Sequence, residues 1–287
     1  MNKLEINGLT KKYKDFTLDN VSFKIEEGTV MGLIGQNGAG KTTIIRLIMN
    51  MTKRDGGTVS VCGLDNITDE IAVKNKIGYV SDETFLFYNT TLAKTARACA
   101  AAYDNWDGEK FSRFLKKWDL SEKKKIAALS KGMQTKAMVA IALSHNPELL
   151  ILDEPTAGLD PVARIEILDL LRDFVSDGKR SVLFSTHITG DLDKIADVIT
   201  LIINGQIRES MSIDEIEDRY AVISGANSII TPENEPLAIG LRKLSTGFEA
   251  LVNRSDLPKF GGAAVKNPNV ENLLVYTIRQ NEKGDLE

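Results

Sequence analysis

Eight consecutive residues have the plainest chemical purpose: Gly35-Gln36-Asn37-Gly38-Ala39-Gly40-Lys41-Thr42. They fit the form G-x-x-x-x-G-K-[ST], which makes a phosphate cradle when a strand leads in and a helix leads out. Both flanks are present: an apolar β-type run at 30–34 and a helical run at 43–51. The glycines let successive backbone N–H groups turn inward, and the helix adds its positive end. Lys41 is placed to reach the β- and γ-phosphates of a nucleotide. The Thr42 hydroxyl is placed to ligate Mg²⁺. A second site of chemistry is Asp153-Glu154, directly after the apolar run Leu149-Leu150-Ile151-Leu152. A carboxylate at the tip of a neighbouring strand can hold Mg²⁺ through its waters. A second carboxylate beside it can take a proton from an attacking water or orient that water.

These groups need a scaffold, and the surrounding pattern supplies one. Residues 3–30 read as short alternating strands at 4–6, 16–18 and 21–25, with turns at Asn7-Gly8 and Glu27-Gly28. They predict an antiparallel layer beside the phosphate loop, with Tyr13 between its first two strands. A strand at 58–62, a short helix from near Thr68 and a strand at 77–80 follow. From 91 to about 128 the pattern turns helical, with breaks at Asp104-Asn105 and Asp119-Leu120. Ser130 opens a helix to about Ser144 that His145-Asn146-Pro147 ends. We read His145 as a surface or capping residue. The run 149–152 fits a strand buried on both faces of a parallel sheet. Asp160-Pro161 gives an N-cap and a first-turn proline for a helix to about Ser176. A strand at 181–185 and a hairpin about Asn204-Gly205 follow.

The chain has 287 residues, 43% of them hydrophobic, and a net charge of −4. That suits one large or two modest domains with a proper core. The acidic balance argues against nucleic acid as the main partner, and the basic runs Lys11-Lys12 and Lys123-Lys124-Lys125 read as solvated faces. Cys62 and Cys99 lie far apart without metal-type spacing, which implies reduced thiols. The first residues are polar and mixed rather than a secretory leader. No window approaches the roughly 20 apolar residues of a membrane span. Work at a membrane would therefore need another chain to do the spanning.

Further stations narrow the class. Leu149 through Pro161, reading LLILDEPTAGLDP, resembles the Walker B and D-loop segment of ABC-type ATPases. Leu129-Ser130-Lys131-Gly132-Met133-Gln134 resembles the signature motif of that family, and Ser185-Thr186-His187 resembles its switch histidine. The stations cover residues 1 to about 210 in the family's order. The resemblance implies a P-loop NTPase α/β core with a mostly parallel sheet, an antiparallel β layer, a helical subdomain at about 84–146, and a small α+β appendage at 215–287. It implies that ATP and Mg²⁺ are bound. Tyr13 would stack on adenine, and Gly35, Asn37, Gly38, Ala39, Gly40, Lys41, Thr42 and Thr43 would form the phosphate loop. Asp153 would serve Mg²⁺, Glu154 would be the general base, and His187 would sense the γ-phosphate. Asp160 would contact the opposite subunit, and Ser130 and Gly132 would close over ATP bound by that subunit.

Three positions depart from the pattern. Asp82 stands where the family commonly has glutamine; its shorter carboxylate can still meet Mg²⁺ or water. Lys131 replaces the first signature glycine and Met133 the signature glutamine. The chain resembles the ATP-binding subunits of ABC-2-type exporters, notably the bacitracin-exporter-like branch of Gram-positive antimicrobial-peptide and drug exporters. Residues 267–274 resemble the segment that often closes such subunits. The expectation is an ATPase that dimerises around two ATP and drives export of a peptide, drug or similar amphipathic compound through a membrane permease. Its second ATPase subunit could be a copy or a homologue. It would sit in the cytoplasm, peripheral on the inner face of the membrane. The aromatic-rich stretch 83–91 would offer a groove for a short permease helix. The alternatives are a soluble ABC ATPase in assembly or maintenance, of the Fe–S-assembly kind, or an ATP-switched regulator with weak hydrolysis.

Overall fold

The computed structural model describes residues 1–82 and 89–284. Most of the stretch proposed as a permease groove, 83–88, and the end of the acidic tail, 285–287, lie outside the described residues. The chain opens with β1 (Asn2–Lys12) and β2 (Thr17–Glu26), paired antiparallel. The turn expected at Asn7-Gly8 and the break expected between 16–18 and 21–25 are both bulges inside continuous strands. Gly8 and Asn20 take positive φ there, and the register shifts beside them. β3 (Val30–Ile34) enters the core, followed by α1 (Lys41–Ile48). β4 (Gly56–Val61) and β5 (Leu64–Asp65) join β1 to make a four-stranded antiparallel sheet, β2-β1-β4-β5. α2 (Glu70–Lys76) begins after Asp69 rather than Thr68, and β6 (Ile77–Val80) follows.

Three helices then form the expected insert. They are α3 (Leu92–Ala102), capped by Thr91, α4 (Gly108–Lys117), capped by Asp107, and α5 (Lys131–Ser144), capped by Ser130. β7 (Leu149–Asp153), α6 (Pro161–Val175), β8 (Ser181–Thr186), α7 (Thr189–Ile195), β9 (Val198–Ile203) and β10 (Gln206–Ser212) complete the core. The central sheet runs β10-β9-β3-β8-β7-β6, parallel except for the edge strand β10. It separates two apolar cores. Leu150 and Leu152 of β7 point into the one shared with α5 and α6; Leu149 and Ile151 point into the one shared with α1 and the antiparallel sheet. Burial on both faces is why this strand shows an unbroken apolar run rather than alternation.

The C-terminal region is α8 (Ile213–Arg219), β11 (Tyr220–Gly225), β12 (Ile239–Leu244), β13 (Gly247–Asn253), β14 (Ala264–Lys266) and α9 (Val270–Gly284). Its antiparallel sheet, β12-β13-β11-β14, has a small core of its own around Ile223, Leu241, Phe248 and Phe260. On the other side, Leu251 with Val270, Leu273 and Tyr276 of α9 joins the main core. Among the described residues no helix is long and apolar enough to cross a membrane.

Candidate functional site

The parallel strands end on one edge, and their tips carry the functional groups. β3 ends at Ile34, and residues 35–40 lead into α1. Gly35 is dictated by space, since a methyl group there would come within 2.4 Å of the Ile202 carbonyl oxygen. Gly40, at φ 117, caps α1 with no side chain across the helix end. That leaves the positive end of the helix and its first N–H groups to face an anion. Lys41 is buried. Its ammonium donates to the carbonyls of Gly35 (2.8 Å) and Gln36 (3.3 Å) and lies 3.6 Å from Glu154 Oε1.

β7 and β8 deliver the acid–base groups. Asp153 is buried at the tip of β7, where the Ser185 hydroxyl of β8 donates to its Oδ1. Glu154 follows in left-handed backbone at φ 50. Such a conformation costs a non-glycine residue on the order of 1–3 kcal/mol and persists where the surroundings enforce it. Two hydrogen bonds enforce it here: the Glu154 N–H donates to the Ser185 carbonyl (3.0 Å) and lies 3.3 Å from the Ser185 hydroxyl. The turn aims the Glu154 carboxylate at both Lys41 and His187. His187 Nδ1 stands 2.7 Å from Glu154 Oε2, and the His187 backbone N–H donates to the same oxygen at 3.3 Å. The His187 ring is 52% exposed, so a ligand can reach it. Lysine, carboxylate and histidine from three separate chain segments thus meet above the phosphate loop.

A cavity of about 650 Å³ opens beside them. Its wall holds the three residues assigned to Mg²⁺, Thr42, Asp82 and Asp153, with Tyr79 and Ser81 of the β6 exit. Burial, with the Asp153 charge adding to it, pushes the Tyr79 phenol up to about 12, so it stays a neutral donor. The donor set is hard oxygen: one hydroxyl and two carboxylates. That set fits Mg²⁺, which binds through one or two carboxylates plus substrate phosphates. Asp82 also forms an ion pair with Lys131 at 2.8 Å, so two of the three departures from the family pattern meet each other. The far wall is largely apolar: Met49 and Met51 after α1, Cys99 of α3 with Tyr103 at its C-terminal end, and Ile141 and Ala142 of α5, with Arg46 and Lys74 also on the cavity lining.

Other expected residues stand at the margins. Tyr13 is 46% exposed, and its ring centroid lies 6.4 Å from that of Phe16. Phe16 in turn abuts Gly40, since a methyl at Gly40 would approach the Phe16 ring tip to 3.0 Å. Asn37 and Gly38 are exposed on the loop, Ala39 is buried, and Thr43 is half-buried. Ser130 accepts from the Met133 N–H as the α5 cap, and Gly132 faces Leu159 of the 154–160 loop. Ser130 thus precedes α5 as its cap, and Gly132 lies in its first turn. Asp160 caps α6 through the N–H groups of Val162 and Ala163. His145 is the C-cap residue of α5, as one of the two expectations had it, but it is not at the surface. It is 1% exposed and stacks on Tyr103 with centroids 3.9 Å apart, and burial lowers its pKa to about 4. Ser185 was missed as a functional residue, although a serine near the end of a buried apolar strand was a visible signal.

Comparison with known proteins places this arrangement. Residues 18–157 match a family model described as ABC transporter. The chain is 28% identical over 268 residues to the ABC transporter ATP-binding protein YtrB of Bacillus subtilis (strain 168), covering 92% of this chain and 90% of that protein. It is 30% identical over 219 residues to the bacitracin transport ATP-binding protein BcrA of Enterococcus faecalis, covering 75% and 71%. Among solved structures, one described as an ATP binding subunit of an ABC transporter superposes with a TM-score of 0.69 at 28% identity, over 75% of this chain and 91% of that one.

Proposed function

The chain belongs to the ATP-binding subunits of ABC transporters, and on that premise we propose that it hydrolyses ATP at Glu154 to drive an exporter. The observation that carries this reading is the Glu154 carboxylate, set between Lys41 at 3.6 Å and His187 at 2.7 Å. The N–H groups of the loop and the α1 end receive the phosphates of ATP, and Lys41 exchanges its carbonyl partners for their oxygens. Mg²⁺, when bound by Thr42, Asp153 and Asp82, supplies charge to the leaving phosphates. Glu154 takes the proton of the attacking water. His187 holds Glu154 in place by donating from Nδ1, and the exposed edge of its ring faces the γ-phosphate. Tyr13 offers its exposed face to the adenine.

The site is completed by a second ATPase subunit, a copy or a homologue. Its Ser130 and Gly132, at the positive end of α5, close over the γ-phosphate held here, and Asp160 lies at the seam. The apolar wall of the cavity receives a short amphipathic helix of a membrane permease. That wall begins directly after α1, at Met49 and Met51, so permease motion can reach the helix that follows the phosphate loop. The bacitracin transport protein and a daunorubicin resistance ATP-binding protein of Streptomyces coeruleorubidus, 31% identical, support a peptide, drug or similar amphipathic cargo moved outward. The protein works from the inner face of the membrane, through that permease. Light scattering of Glu154→Gln with Mg-ATP tests the paired site. A mass that doubles on ATP supports it; a variant that binds ATP yet keeps its mass unchanged contradicts it.

A further inference from the structure

His187 is attached to the fold by little of its own. It follows the last residue of β8, Thr186, and only Ile188 separates it from α7, a helix of seven residues. A helix this short has scant stability alone, so its position must come from what it is packed against. Leu192 lies so close to Gly32 of β3 that a methyl there would approach it to 2.7 Å. The second anchor is Asp191, which is 0% exposed. Its Oδ2 accepts from the Thr156 hydroxyl at 2.7 Å, and its Oδ1 pairs with Arg164 Nε. Thr156 is itself 1% exposed and lies two residues after Glu154; Arg164 stands in the first turns of α6. A third contact, from the Val270 N–H to Asp193 Oδ1 at 3.0 Å, holds the outer side of α7 to α9.

A buried carboxylate is tolerated only when its acceptor sites are used. Both donors to Asp191 belong to the segment that begins with the proposed base. The two ends of the His187–Glu154 contact are therefore tied together a second time, one helical turn behind the histidine. We propose that Asp191 is a positioning residue for hydrolysis: through Thr156 and Arg164 it fixes the distance between His187 and Glu154. This rests on the hydrolytic reading above. Asp191 touches none of the phosphate-loop residues, so its removal acts on the rate of the chemical step and leaves nucleotide affinity in place.

The test uses Asp191→Asn, which keeps size and loses the charge, and Thr156→Val, which removes one hydroxyl at constant shape. Thr156→Ser is the conservative control. The chain contains two histidines, so histidine labelled at ring Cε1 gives two ¹H–¹³C peaks, and His187→Ala assigns them. The His187 peak is expected to move in Asp191→Asn and Thr156→Val and to stay in Thr156→Ser, with the His145 peak fixed throughout. At saturating ATP the hydrolysis rate of Asp191→Asn is expected to fall at least roughly tenfold while the ATP Kd stays within about threefold, the pattern of an interaction that serves the transition state. An unmoved His187 peak in both variants, a rate within about twofold of wild type, or a Kd weakened as much as the rate overturns the inference. Should Asp191→Asn fail to fold, Thr156→Val decides. A wild-type protein that hydrolyses no ATP contradicts the hydrolytic reading instead, and the peak positions still judge the positioning claim.

Discussion

Exchanging Glu154 for glutamine separates binding from chemistry in one step. The amide keeps the length of the side chain and the left-handed backbone at φ 50. It can still accept from the His187 backbone N–H, now 3.3 Å away. It cannot take a proton from water. A positioned general base contributes about 10²–10⁴ in rate, which at 1.36 kcal/mol per decade is about 3–5 kcal/mol of barrier. Binding should be spared. Lys41 keeps its bonds to Gly35 and Gln36, and one negative charge disappears from beside the γ-phosphate. Phosphate release at saturating Mg-ATP should therefore fall by about 10²–10⁴. Displacement of a fluorescent nucleotide should give a Kd equal to or tighter than wild type. A rate within a few-fold of wild type would remove Glu154 from the base role. A Kd weakened in step with the rate would mean that the carboxylate organises the loop rather than activating water.

Two further predictions concern stability. His145 has its pKa lowered from 6.5 to about 4 by burial. The unfolded chain therefore binds a proton there between pH 6.5 and 4 while the folded chain does not, and stability falls as pH drops through that window. The span corresponds to about 3 kcal/mol. His145→Phe, which keeps the stack on Tyr103, should lose that share of the acid sensitivity; urea unfolding at pH 7 and pH 4.5 with an unchanged difference would contradict it. Ser185→Ala removes the donor to Asp153 Oδ1 and should cost about 1–3 kcal/mol in urea unfolding. A neutral result would show that Asp153 finds another partner.

The strand–loop–helix at 30–48, the strand that ends at Asp153 and the capping of α6 by Asp160 were legible because each is written locally. A strand, a glycine-rich turn and a helix start leave their marks within a dozen residues. The twofold burial of β7 was legible for the same reason. What stayed hidden depends on contacts between distant segments. Nothing near His145 announces Tyr103, which stacks on it from the end of α3, so of the two readings, surface or capping residue, only the cap stands. Thr156, Arg164 and Asp191 have no shared spacing that marks them as a cluster. Asn7-Gly8 was read as a turn because positive φ at Gly8 serves a bulge as well as a turn. α8 is a different case. Its capping box, Ser212 with Glu215, was written locally and was overlooked at the start of the region read as a small α+β appendage.

The central claim is that a nucleotide is held by the 35–43 loop through Lys41. Calorimetric titration of Mg-ATP into wild type and Lys41→Ala tests it most directly. A charge-assisted contact to phosphate contributes about 1.5–3 kcal/mol, so the account predicts saturable binding to wild type and an affinity roughly 10–100-fold weaker in the variant. Equal affinity in the two proteins would contradict it.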